Sequence, residues 1–185
     1  MEKNQLATTT NNEFLEIYSP KALQLQFREV TTIALALQTK SKSIALLKNE
    51  YSEDKIAALI KLQLIELNEI LNLKRPLSET QIDAIADEVL IQYYHLTMAD
   101  IYLIFRRARI GHYGEFYESI NMPKVLSWFR SYFDERCEEA ARQSMDNASQ
   151  YKYIGDRTCD ENAKNEHRIQ LGVLKQKLMK NNPNQ

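Results

Sequence analysis

The chain has 185 residues, a net charge of −1 and 44% hydrophobic residues. That is enough apolar material for a core, and the overall balance excludes a polybasic nucleic-acid binder. Only four Gly and four Pro are present, too few for the tight turns of a β-sandwich or barrel, so composition points to an all-α fold. The two cysteines, Cys137 and Cys159, make no disulfide framework. The polar start MEKNQLATTTNNEF lacks the apolar core of a signal peptide, and no stretch reaches the roughly 18 apolar residues of a membrane span. The expectation is a cytoplasmic protein with no membrane partner.

Residues 1–18 read as a largely disordered N-terminal segment, with an apolar turn at Phe14, Leu15, Ile17 and Tyr18. Ser19-Pro20 opens a helical domain expected over 19–148, because Ser caps and Pro suits the first helical position. Leu23, Phe27, Val30, Ala34 and Leu37 then recur at helical spacing, predicting one helix that fades at Thr39 to Ser43. A short helix with Ile44 and Leu47 follows. The helix expected over about 53–73 is apolar nearly all round, from Ile56 to Leu71, and reads as the buried centre of a compact multi-helix bundle.

Pro76 stops that helix. Ser78 with Gln81 forms a capping box for a helix over about 79–93, carrying Ile82, Ile85, Ala86, Val89, Leu90 and Tyr93. Thr97 with Asp100 opens the next helix, and Gly111 is placed to end it. A long helix after Pro123 should reach about residue 148, with Leu126, Phe129, Phe133 and Cys137 on one face and Trp128 and Tyr132 on an adjoining one. Residues 149–160 read as a linker. Residues 161–185 read as an amphipathic helix and tail, with Ile169, Leu171, Leu174 and Leu178 on the apolar stripe.

Charge is unevenly spread. Between Leu103 and Tyr132 the bases Arg106, Arg107, Arg109, Lys124 and Arg130 face only the acids Glu115 and Glu118. Tyr102, Arg106, Arg109 and Tyr113 fall at i, i+4, i+7 and i+11, one face if the helix persists. Guanidinium groups pair bidentately with phosphate and tyrosines stack on bases, so Tyr102, Arg106, Arg107, Arg109, Tyr113, Lys124 and Arg130 are the candidate nucleic-acid contacts. The competing reading is a solvated face whose arginines pair with Asp87, Glu88 or Glu115. Helix-turn-helix readout is disfavoured because the arginines lie at the C-terminal end of their helix, where a recognition helix needs them at the other.

Tyr117, Trp128 and Tyr132 with Leu171, Leu174 and Leu178 are the candidate partner-binding residues, since aromatic and leucine clusters dominate interfaces. Core packing competes for the aromatics, and Cys137 is expected inside the core. Cys137, Cys159, His95, His112 and His167 show no close pair of the C-x2-C kind, so neither a metal nor a cofactor is expected. Asp83, Asp87 and Glu88 read as a solvated acidic face. No nucleophile pairs with a base, so no catalytic residue is assigned.

Over about residues 60–142, the runs LIELNEILNLKRPLSETQIDAIADEVL, YYHLTMADIYLIFRRARIGHYGEFYESI and KVLSWFRSYFDERCEEA are similar to a family of small, largely uncharacterised helical proteins encoded by phages and mobile elements of gut bacteria. The resemblance implies a mobile-element setting and an accessory role in DNA replication, of helicase-loader or replisome-organiser type, with DNA or a replication helicase as partner. The alternative is an interaction module such as a phage inhibitor, adaptor or minor virion component. It would bind a second copy, or a host or phage protein, through the C-terminal helix.

Overall fold

The computed structural model describes residues 14–114 and 119–149. The expectations for residues 1–13, for Glu115 and Tyr117, and for the linker and C-terminal helix with Leu171, Leu174 and Leu178 lie outside the described residues. The described chain is helical: α1 over residues 14–18, α2 Pro20–Gln26, α3 Ile33–Gln38, α4 Ile44–Glu50, α5 Glu53–Leu71, α6 Glu79–Gln92, α7 Met98–Arg109 and α8 over residues 122–149. The chain divides into two units, 1–140 and 141–185. Of the second, residues 141–149 are described; they are helical and mostly exposed, with Arg142 paired to Asp146 at 3.6 Å.

Side-chain caps set the boundaries. Ser19, Thr32, Ser43, Ser52, Ser78 and Thr97 each accept from a backbone N–H of the first turn, satisfying donors that the helix itself leaves unpaired. The expected capping box forms, Ser78 with Gln81, and Thr97 with Asp100, expected to open α7, forms a second one. Asn121 caps α8 by accepting from the Lys124 N–H at 3.0 Å, so that helix starts one residue before Pro123.

Four expectations change. The single helix expected from Pro20 to Leu37 is two, α2 and α3, because Thr32 caps a new start and residues 27–32 leave helical geometry. Leu23, Phe27 and Val30 reach the core as expected, but beyond the break Ile33 and Ala36 are the buried residues and the expected Ala34 and Leu37 are only partly buried, so the periodicity held as far as the break and not past it. Next, α5 packs against α2, α4, α6 and α7, yet it buries one face only: Leu62, Ile65 and Ile70 are exposed. The most enclosed helix is α7, where every residue from Met98 to Phe105 is buried. Further, α8 is rotated from its expected orientation. Val125, Trp128, Phe129 and Tyr132 are buried, whereas Cys137 is exposed. Residues 14–18, expected within the disordered segment, are helical, and Phe14 packs with Tyr18 and Tyr51.

Candidate functional site

The basic end of α7 is held by its other end. The Asp100 carboxylate is 0% exposed and accepts four hydrogen bonds. They come from the Thr97 backbone N–H and hydroxyl at 2.8 Å each, the Tyr132 hydroxyl at 2.7 Å and Arg136 Nε at 3.1 Å. A buried carboxylate is tolerated only with this kind of satisfaction. The network ties α7 to α8, and burial with the adjacent Asp100 charge pushes the Tyr132 phenol far above its ordinary range. Met98 and Asp100 are therefore inside the protein, and this end of α7 presents nothing to a DNA groove.

The other end closes on Gly111, at φ +77°. Its N–H donates to the Ala108 carbonyl at 3.1 Å and the His112 N–H to the Arg107 carbonyl at 2.9 Å, the paired bonds of a Schellman cap. The turn ends the helical face before Tyr113. Tyr113 instead stacks on Trp128, centroids 5.5 Å apart and rings 11° from parallel. Burial pushes its phenol up to about 12, and Arg107 beside it acts in the opposite sense.

The arginines of α7 divide between two faces. Arg107 is turned towards α8, where Nη1 meets Glu135 at 2.8 Å and the guanidinium lies 5.4 Å from the Tyr132 ring centroid. With 14% of its side chain exposed, Arg107 is a tie between helices. Arg106 and Arg109 point the other way. Arg106 Nη1 donates to the Arg28 carbonyl at 2.6 Å and more weakly to the Val30 carbonyl at 3.5 Å, two acceptors left over where α2 and α3 part. Arg109 lies over the Tyr102 ring and reaches Glu66 at 3.4 Å.

Arg106 and Arg109 meet Arg28 in a surface cleft of about 370 Å³ where α2, α5 and α7 come together. Among the described residues of the lining, Glu66 is the one carboxylate, against three guanidinium groups. Tyr102 is buried and forms part of the floor beneath Arg109, so it supports a guanidinium and is closed to a stacking base. Ile70 and Ile110 flank the opening, 51% and 72% exposed. The remaining guanidinium N–H groups of these arginines are donors suited to an oxyanion, and the cleft carries net positive charge.

The other sequence candidates lie elsewhere. Lys124 Nζ donates to the Tyr113 carbonyl at 3.0 Å. Arg130 is exposed on α8, beside the Tyr93 phenol. Trp128 and Tyr132 are wholly buried core residues, closed to a partner in this fold. The expected arginine partners Asp87 and Glu88 are not used by α7; Glu66 and Glu135 are. Sequence reasoning missed Arg28, Gln24 and Glu66, which line the cleft from α5 and from α2 and the turn after it. The only signal for Arg28 was its place at the end of α2, hidden while residues 20–37 read as one helix.

Among the described residues no three His, Cys, Asp or Glu side chains gather as a metal site, and no helix is long and apolar enough to cross a membrane. No family model matches the chain, and none of the curated proteins or solved structures does.

Proposed function

We propose that this chain is a non-enzymatic accessory protein of phage or mobile-element DNA metabolism that acts by holding nucleic acid through its phosphates. The observation that carries the reading is the convergence of Arg28, Arg106 and Arg109 on one cleft in which Glu66 is the one carboxylate among the described lining residues. Three guanidinium groups against Glu66 in the lining and Glu29 beside Arg28 still leave a local cationic site on a chain whose net charge is −1. The existing partners do not close it. Arg28 is 72% exposed, and its pair with the still more exposed Glu29 is worth at most about 1 kcal/mol in water. Arg109 to Glu66, at 3.4 Å, is long for a charged hydrogen bond, and a bidentate phosphate offers more.

The test is fluorescence anisotropy with labelled single- and double-stranded DNA, at about 50 mM and about 200 mM salt. Binding that weakens with salt supports the reading. Absence of binding at the lower salt overturns it.

A second reading, a module that binds another protein, is favoured by a different observation. Ile91 and Tyr94 stand exposed in a cleft of about 380 Å³ shared with Ala45, Lys48, Asn49 and Leu90, between α4 and α6. Exposed apolar residues grouped around a concavity are a common partner surface. Light scattering of the whole chain and of Ile91→Glu tests the self-associating form of it; the same mass for both at high concentration counts against that form.

A further inference from the structure

We infer that the α2–α5–α7 cleft takes one nucleotide unit of single-stranded nucleic acid, its phosphate on Arg28, Arg106 and Arg109 and the face of its base against Ile70 and Ile110. This rests on the proposed nucleic-acid function and narrows it to a place and a strand state.

Shape argues for the single strand. Duplex DNA presents a convex cylinder with stacked bases and meets broad surfaces or elements that enter a groove. Here the cations lie inside a concavity of about 370 Å³ bounded by α2, α5 and α7. A concavity of that size admits one nucleotide whose base has left the stack. The apolar rim supports this assignment, because a site for phosphate alone has no use for two large aliphatic side chains in water beside its cations. Ile70 and Ile110 give an unstacked base an apolar surface, and every base has a face to lay on it.

The contributions of the three arginines differ. Arg106 is anchored by the Arg28 and Val30 carbonyls, and Arg109 is steadied over Tyr102, so two guanidinium groups are fixed before any ligand arrives. Little ordering entropy is then lost by those two on binding. Arg28 is the exposed member, and from the solvent side it can exchange its still more exposed Glu29 partner for a phosphate. Glu66 opposes the ligand. Its carboxylate holds Arg109 and repels an incoming phosphate, so it sets how tightly the cleft binds.

The experiment uses the full chain with fluorescein-labelled dT and U oligomers of roughly ten nucleotides, within the range one small site covers, and a hairpin duplex of equal charge. The variants are Arg28→Ala, Arg109→Gln, Ile110→Asp, Glu66→Gln and, away from the cleft, Arg130→Ala. Arg28→Ala removes an exposed side chain and leaves the carbonyl that Arg106 uses, so it keeps the fold. Expected are single-strand binding tighter than duplex binding and affinity reduced several-fold by Arg28→Ala, Arg109→Gln and Ile110→Asp. Glu66→Gln should tighten binding several-fold, an outcome that damage to the fold does not produce. The dT and U arms decide between DNA and RNA, and a preference for either is consistent with the cleft. Binding that ignores Arg28, Arg109 and Glu66 but falls with Arg130→Ala overturns the cleft and leaves the nucleic-acid function standing. Equal or tighter duplex binding overturns the single-strand assignment. No salt-sensitive binding to any of the three overturns both.

Discussion

Arg106 donates to the main-chain carbonyl of Arg28, 78 positions earlier, at 2.6 Å. That bond joins the basic end of α7 to the point where α2 gives way to α3, and it brings two arginines far apart in sequence into one cleft. Carbonyls at a helix end need donors, and a guanidinium supplies several from one position. Replacing Arg106 by Met should therefore cost about 1–2 kcal/mol, within the range for charged hydrogen bonds at a part-exposed site. Arg106→Lys should recover only part of it, since an ammonium lacks the fork geometry. Urea denaturation of the three proteins measures this; equal midpoints would show that the carbonyls are satisfied by water instead.

The Tyr132 hydroxyl is one of four donors to the buried Asp100 carboxylate. Tyr132→Phe keeps the ring and removes the donor, leaving a buried charge short of one bond. The expected loss is about 1–3 kcal/mol. Asp100→Ala should cost more, about 3–5 kcal/mol, because it also strands Arg136 and removes half of the capping box. Thermal unfolding followed by circular dichroism ranks the two. An Asp100→Ala protein as stable as the parent would remove the network from the account of how α7 and α8 are joined.

Gly111 sits at φ +77°, and a Cβ placed there meets nothing within 4 Å. The cost of Gly111→Ala is then conformational alone, about 1–2 kcal/mol, the penalty of the left-handed region for a residue with a Cβ. Denaturant midpoints for Gly111→Ala and Gly111→Asn check it. Asn, which tolerates this region better, should fall between Gly and Ala.

Burial, then the positive charge of Arg136, hold the His95 imidazole below its ordinary value of 6.5, while Asp100 acts in the opposite sense. The unfolded chain therefore takes up a proton at a higher pH than the folded chain does. Stability from this group is fully present above about pH 6.5 and is lost as the pH falls through the unfolded and then the folded pKa. Denaturation at pH 7.5 and at a mildly acid pH should show that loss, and His95→Phe should shrink it. An unchanged slope in the variant would assign the acid sensitivity to other groups.

Local signals were the legible part of this fold. Ser78 with Gln81, Thr97 with Asp100, and Gly111 each occupy the position their chemistry suggests, because a cap depends on residues within one turn. The α2–α3 break was hidden because Leu23, Phe27 and Val30 keep a helical period into and through the turn. The face of α8 was misjudged because apolar residues occupy 125, 126, 128, 129, 132 and 133. Two neighbouring stripes fit that pattern equally well, and Cys137 belongs to the one that only partly packs.

The site was legible only in half. The residue types of α7 suggested phosphate, but their division between α8 and the cleft depends on Glu135 and Glu66, 28 and 43 positions from their arginines. No spacing rule reaches that far. Tyr102, Trp128 and Tyr132 illustrate the same limit: an aromatic at helical spacing serves core or surface, and only packing decides.

The most direct measurement is the salt dependence of single-strand affinity for the whole chain and for Arg28→Ala. Affinity should fall as salt rises, and the slope of its logarithm against the logarithm of salt should be shallower by about 0.7 in Arg28→Ala, the counterion release of one phosphate contact. Affinity that ignores salt, or two parallel slopes, would contradict a phosphate held by Arg28.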